Sequence, residues 1–277
     1  MIKLKMAFCR TVFRKADYVK NLEDGENRWI SECRRLGLNA ATTGEFAGCV
    51  THAWIEDPSA EPGTELRPEI ANNQHAHAIL DAIAGVSGQI ARRKPEYGPD
   101  KSPWFELELG IDHCLRRKAH YTDVEFRRHD GCPIAVSAAA MEIRAAIKAV
   151  NPKVELWSSC FPTASGALSS EGQDWTRWCR EGLVDHLGMM DYSITPATFE
   201  GLLTDQRQYD LGGFRRVGPV FGPVRWNGAH TVAENALCAA KHLEAIRRQG
   251  YTTFGFFQLS EETKPVLEIL AQGPMRK

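Results

Sequence analysis

The sequence lacks most of the features that quickly assign a chain to a class. Its eight cysteines include no CxxC pair and no zinc-finger spacing, and no GxGxxG or GxxxxGK[ST] loop follows any strand-like segment. Dinucleotide and P-loop nucleotide sites thereby lose their main support. No apolar run approaches the length of a membrane span. An excess of charge is missing as well: the formal net charge is −1, with acids and bases interspersed, so there is no electrostatic footprint for nucleic acid or an anionic membrane. The apolar part of Met1-Ile-Lys-Leu-Lys-Met-Ala-Phe8 is too short for a secretory leader. As numbered, the chain is expected to be cytoplasmic; a leader removed ahead of residue 1 would make it secreted. Cys33, Cys160, Cys179 and Cys238 sit among apolar residues and read as free, buried thiols rather than as a disulfide framework.

What is present is an ordinary globular composition, 43% hydrophobic and 25% charged over 277 residues, which suits one domain spanning 1–277. Strand-like and helix-like patterns alternate along it. Strands are expected from about Lys3, Leu38, Cys49, Phe105, Val154, Leu187, Val217 and Thr252. Between them lie helical stripes, among them Val136, Ala140, Ile143, Ile147 and Val150, stopped by Asn151-Pro152, and Trp175, Trp178, Cys179 and Leu183. Thr195-Pro196 opens another helix with a cap residue before proline. Eight strands alternating with helices in a domain of this length predict an α/β fold of the (β/α)8, TIM-barrel type. The gap between the second and third strands is too short for a full helix, so irregularity is expected there.

One stretch carries unusual chemistry. In Phe105-Glu-Leu-Glu-Leu-Gly-Ile-Asp-His113, the period of two puts Phe105, Leu107, Leu109 and Ile111 on one face and Glu106, Glu108, Gly110 and Asp112 on the other. A surface strand would simply hold such acids in water. In a sheet covered by helices they point into a barrel or cleft, where a carboxylate is costly unless paired or protonated. The long polar stretch that follows makes His113, Arg116, His120 and Tyr121 site candidates. Asp191 and Tyr192 close a short buried strand. Trp157, Trp226 and Gln258 sit at or near other strand ends, where rings stack on sugars and amides hold hydroxyls, although any one ring is equally well explained as barrel filling. Glu261 and Glu262 fit the acidic start of a helix. His75 and His77 lie on one helix with diverging rings, and no metal or cofactor is expected.

Several phrases in order, Ala145-Ala-Ile-Lys-Ala-Val-Asn-Pro-Lys-Val-Glu-Leu-Trp157, Gln173-Asp-Trp-Thr-Arg-Trp-Cys-Arg-Glu-Gly-Leu-Val-Asp185, Met189-Met-Asp-Tyr-Ser193 and Phe199-Glu-Gly-Leu-Leu203, resemble the second half of the glycosyl hydrolases grouped as a "family 10-like" set. The resemblance covers about Ile134 to Leu270. It implies a (β/α)8 barrel acting on polysaccharide, with a catalytic acid on the fourth strand that maps to Glu108 or Asp112 according to register. The sequence departs from the set in its first half, in the absence of a proline soon after Arg116, and in Met190-Asp191-Tyr192, where members often carry Met-Asn-Tyr. The fifth strand ends in Ser158-Ser-Cys-Phe-Pro162 with no acid.

Glycoside hydrolysis needs two carboxyl groups flanking one bond. Proximity to strand ends ranks Asp112 and Asp191 first, Glu108 next and Glu106 last. Glu106, His113, Arg116, His120, Tyr121, Trp157, Tyr192, Trp226 and Gln258 are the expected substrate contacts, and carbohydrate is the expected partner. An inert carbohydrate-binding barrel is the alternative. A metal-dependent hydrolase using His52, His113 or His120 comes third. The single chain leaves the oligomeric state open.

Overall fold

The structure, a computed structural model, describes residues 4–8, 12–13, 32–33, 35–38, 40–42, 45–46, 49–50, 53–55, 108–111, 121–125, 133–150, 152, 155–193, 195–209, 217–225 and 228–276. Glu106, Asp112, His113, Arg116, His120 and Trp226 lie outside these residues, as do His52, His75, His77 and the helix expected over 68–90.

The strands are β1 (Leu4–Phe8), β2 (Val12–Phe13), β3 (Ala40–Thr42), β4 (Glu45–Phe46), β5 (Cys49–Val50), β6 (Ala53–Ile55), β7 (Glu108–Ile111), β8 (Tyr121–Glu125), β9 (Glu155–Cys160), β10 (His186–Met190), β11 (Val217–Phe221) and β12 (Thr253–Phe257). The helices are α1 (Pro133–Val150), α2 (Trp175–Glu181), α3 (Pro196–Gln208), α4 (Val232–Arg248) and α5 (Lys264–Gln272). The main sheet runs β6-β3-β1-β12-β11-β10-β9-β8-β7, and β2, β4 and β5 form a small sheet of their own. Every pairing from β3 round to β8 is parallel. Followed from β8, these strands keep chain order to β12, and the last strand then pairs with the first, β1, and through it with β3. The protein is therefore an α/β structure on a nine-stranded sheet with a parallel run from β3 to β8.

The strand beyond each end of that run is antiparallel, and chain length explains why. A parallel crossover needs a dozen or more residues, whereas antiparallel strands can be joined by a short loop. Residues 43–52 leave no room for a helix, so β6 returns antiparallel to β3. The expected third strand over Cys49–Ile55 is accordingly split: Cys49 and Val50 join the small sheet, and Ala53–Ile55 edges the main one. Residues 112–120 are likewise too few, so β7 pairs antiparallel with β8. The parallel position beside β9 belongs to β8, from a stretch read in the sequence as loop.

From α1 onward the helical stripes lie where expected. Val136, Ala140, Ile143 and Ile147 of α1 are buried, as are Trp175 and Trp178 of α2 and Phe199 and Leu203 of α3. The two tryptophans are core, not a sugar platform. Trp178 Nε1 donates to Ser137 Oγ at 2.9 Å, which satisfies a buried indole and ties α2 to α1. Phe221, Phe254 and Phe256 pack edge-to-face or tilted against one another from β11 and β12, and Phe199 of α3 joins them at 5.3 Å from Phe221. Gly218 makes this approach possible, since a Cβ there would meet Thr253 Cγ2 at 2.8 Å. At the other edge, Asp185 Oδ2 accepts from Leu156 N at 2.8 Å and faces Lys148 Nζ at 3.0 Å, joining β9, α1 and the start of β10. Cys33, Cys160 and Cys238 are buried, and Cys179 is half-buried. Among the described residues no helix is long and apolar enough to cross a membrane.

Candidate active site

Strands of one direction end on one edge of the sheet, and the turns after β9, β10 and β12 gather polar side chains there. After Met190 the backbone leaves the ladder through successive i to i+2 contacts, with Asp191 N on Met189 O at 2.8 Å, Tyr192 N on Met190 O at 2.9 Å and Ser193 N on Asp191 O at 2.7 Å. This turn follows three buried residues of β10, so it places Asp191 against the core with no exposed surface. Thr195 then caps α3 by accepting from Thr198 N at 3.2 Å, and that start sets the helix so that Gln206, near its far end, returns to the turn.

Gln206 donates from Nε2 to Asp191 Oδ1 at 2.6 Å and to Pro162 O at 3.2 Å, bridging the segments that follow β9 and β10. Asp191 Oδ2 is buried and has no partner among the described residues. Burial pushes the Asp191 carboxyl well above the usual carboxylate range, and the Gln206 hydrogen bond opposes that shift. A carboxyl so shifted keeps its proton to higher pH than an ordinary aspartate does.

Other polar atoms on this edge are also enclosed. Ser193 Oγ, Gln258 Oε1 and, at the start of α2, Trp175 Nε1 are buried without partners among the described residues. Gln258 follows β12, and its carbonyl accepts from Thr263 Oγ1 at 2.6 Å. The Tyr192 ring lies 5.5 Å from that of Phe257. Strands two apart in a sheet are separated by about 10 Å, so this ring contact reaches over β11 from the end of β10 to the end of β12. Tyr192 and Gln258, both expected site residues, thus sit on the same edge as Asp191.

The remaining expected residues divide by strand direction. Glu108 begins β7 and pairs in register with Glu125, the last residue of β8, so its backbone lies at the carboxyl edge of the parallel strands. Ile111, which ends β7, pairs with Thr122 near the start of β8. Asp112 itself lies outside the described residues. Tyr121 opens β8 across from Glu155, at the opposite edge. Trp157 is mid-strand in β9, across from Asp123 and His186. Sequence reading missed Glu125, Asp123 and Gln206. The alternation in Tyr121-Thr-Asp-Val-Glu125 was a signal for the first two; nothing local marks Gln206, whose role comes from tertiary packing.

Among the described residues no group of three His, Cys, Asp or Glu side chains is placed to hold a metal ion. His242 is buried against Phe199, stacked at 4.1 Å, with Cys238 Sγ 3.8 Å from Nε2. Burial lowers its pKa to about 4, against a hydrogen bond to the Thr195 backbone that raises it.

No family model matches the sequence, and no curated protein does. Solved structures do resemble it. A chitinase from Chromobacterium violaceum is 10% identical, with 98% of this chain and 99% of that chain covered and a TM-score of 0.47. The spore cortex-lytic enzyme SleL of Bacillus megaterium is 9% identical, with 97% and 73% covered and a TM-score of 0.47. The glycoside hydrolase domain of PgaB from Bordetella bronchiseptica is 11% identical, with 50% and 41% covered and a TM-score of 0.39, so this chain spans less than half of that one. Identity this low leaves the chemistry of the site to be argued from its own residues.

Proposed function

We propose that this chain is a glycosidase-like hydrolase on a (β/α)8-type barrel, with Asp191 as its general acid. The observation that carries the reading is the Asp191 carboxyl: enclosed at the carboxyl end of β10, held through one oxygen by Gln206, and at the other unpartnered among the described residues. The return of β12 to β1 supports the barrel, because that pairing is the one a ring of strands requires. The resemblance of residues 134–270 to the family 10-like set supports the substrate class, an oligo- or polysaccharide.

In this reading Asp191 stays protonated near neutral pH and delivers its proton to the glycosidic oxygen as the bond breaks. A second, ionised carboxylate works from the opposite face of the sugar, as a nucleophile at about 5–5.5 Å from the acid or as a base toward water at about 6.5–9.5 Å. Its place at the carboxyl edge of the parallel strands favours the Glu108–Glu125 register pair for that role, with Asp112 kept as a further candidate. Tyr192, Gln258 and Ser193 would contact sugar at the same edge. Glu106, His113, Arg116, His120, Tyr121, Trp157 and Trp226 stay as further candidates for substrate contact.

Hydrolysis by the wild-type chain across a panel of oligosaccharides and aryl glycosides tests the proposal; cleavage of any one supports it. One observation favours a second reading, an inert carbohydrate-binding barrel: Asp191 has 0% exposure, so a sugar reaches it only if the turn opens. A sugar that raises the melting temperature without being cleaved decides for that alternative.

A further inference from the structure

We infer that Gln206 is a positioning residue: its amide occupies Asp191 Oδ1 and so confines the acid's proton to Oδ2. This deepens the proposed function and rests on it for the catalytic consequence, though not for the placement of the proton.

The orientation of the amide follows from its neighbours. Pro162 O accepts only, and it lies 3.2 Å from the same Gln206 nitrogen that lies 2.6 Å from Asp191 Oδ1. Rotating the amide would set its oxygen against the Pro162 carbonyl, so the nitrogen belongs where it is, with both of its hydrogens used. Behind it, Gln206 Oε1 lies 3.5 Å from the Tyr251 hydroxyl, which donates to Leu203 O at 3.0 Å. Gln206 is itself 4% exposed, so the arrangement is packed in place.

A neutral carboxyl has one hydroxyl oxygen and one carbonyl oxygen. Oδ1 receives a hydrogen bond at 2.6 Å, which suits the carbonyl oxygen and disfavours a proton there. The proton therefore sits on Oδ2, which has no partner among the described residues. Burial and the Gln206 hydrogen bond are the causes of the carboxyl's shift, and among the described residues no charged side chain contributes to it. Among the described residues, Tyr192 follows the acid in sequence and the Tyr251 hydroxyl lies 3.5 Å from Gln206 Oε1; both are phenols.

The test is the infrared difference spectrum of the full chain, wild type minus Asp191→Asn, followed through pH. A protonated-carboxyl C=O band at pH 7 that Asp191→Asn lacks is expected. In Gln206→Leu its titration midpoint should rise by about one pH unit, the equivalent of one charge-assisted hydrogen bond. Gln206→Glu keeps the volume and, when protonated, one donor, and should fall between. A wild-type spectrum without the band, or a midpoint unmoved in both Gln206 variants, overturns the inference. Should Gln206→Leu fail to fold, the wild-type spectrum and Gln206→Glu still decide it. If wild type cleaves a sugar, Gln206→Leu should lower kcat more than it changes KM and move the pH–rate limb with the band. If it cleaves none while the band behaves as stated, the hydrolase reading fails and the positioning role stands.

Discussion

Gln206 Nε2 stands 2.6 Å from Asp191 Oδ1, and the two residues are 4% and 0% exposed. An acid so enclosed weighs on stability. Its folded pKa is raised, so between the unfolded value of about 3.9 and the folded one the native state holds a proton that the unfolded state has released. Stability is therefore fullest below about pH 4 in this respect and declines as pH rises toward the folded pKa. Asp191→Asn should remove the decline and unfold at higher denaturant than wild type at pH 7, as urea midpoints across pH 4 to 8 would show.

His242 works in the opposite direction. Its pKa falls to about 4 through burial, so the unfolded state takes up a proton below about 6.5 that the folded state refuses. The contribution is present above about pH 6.5 and is lost as pH falls toward 4, about 3 kcal/mol in all. His242→Phe should flatten that acid limb, leaving the fall with rising pH due to Asp191. Asp191→Asn should leave the His242 limb alone.

Asp185 holds a junction at the opposite edge of the sheet. Burial opposes its ionisation, but the Leu156 amide and Lys148 outweigh it and hold the carboxyl below its usual range. Asp185→Ala leaves a buried amide and a lysine without their acceptor and should destabilise by about 2–3 kcal/mol. In wild type this support exists above about pH 4 and disappears as pH falls through the folded pKa. A lower urea midpoint at pH 7 with an unchanged m-value is the expected readout.

At the start of α4, Thr231 and Glu234 form a reciprocal capping box, with Glu234 N on Thr231 Oγ1 at 3.2 Å and Thr231 N on Glu234 Oε2 at 2.8 Å. Thr231→Ala should cost about 1 kcal/mol by chemical denaturation, leaving the site untouched.

The sequence was most legible where chain length and periodicity agreed. Val136, Ala140, Ile143 and Ile147 read as one helix face and are buried as one. Thr195-Pro196 read as a helix start and caps α3. Asp191, Tyr192 and Gln258 read as strand-end residues and share an edge. Strand direction was not legible in the first half, because alternation is the same for parallel and antiparallel strands. Phe105–His113 looked like a parallel strand ending in Asp112, whereas β7 runs antiparallel and β8 takes the parallel position. The short connection over 112–120 held that information, through loop length rather than side-chain pattern. Gln206 was invisible because a buried amide in an amphipathic helix has no local signature.

That reversal makes a prediction of its own. Of Glu108→Gln and Glu125→Gln, one variant should lose activity about a thousandfold, near 4 kcal/mol of transition-state stabilisation. Rates on one substrate, with circular dichroism to confirm folding, give the answer.

The most direct test of the central claim compares wild type with Asp191→Asn on whichever glycoside wild type cleaves, one needing acid assistance to its leaving group. The account predicts a folded variant, at least as stable as wild type at pH 7, with kcat/KM lower by about a thousandfold or more and no dependence left on the Asp191 titration. A folded Asp191→Asn protein cleaving that glycoside at the wild-type rate would contradict it.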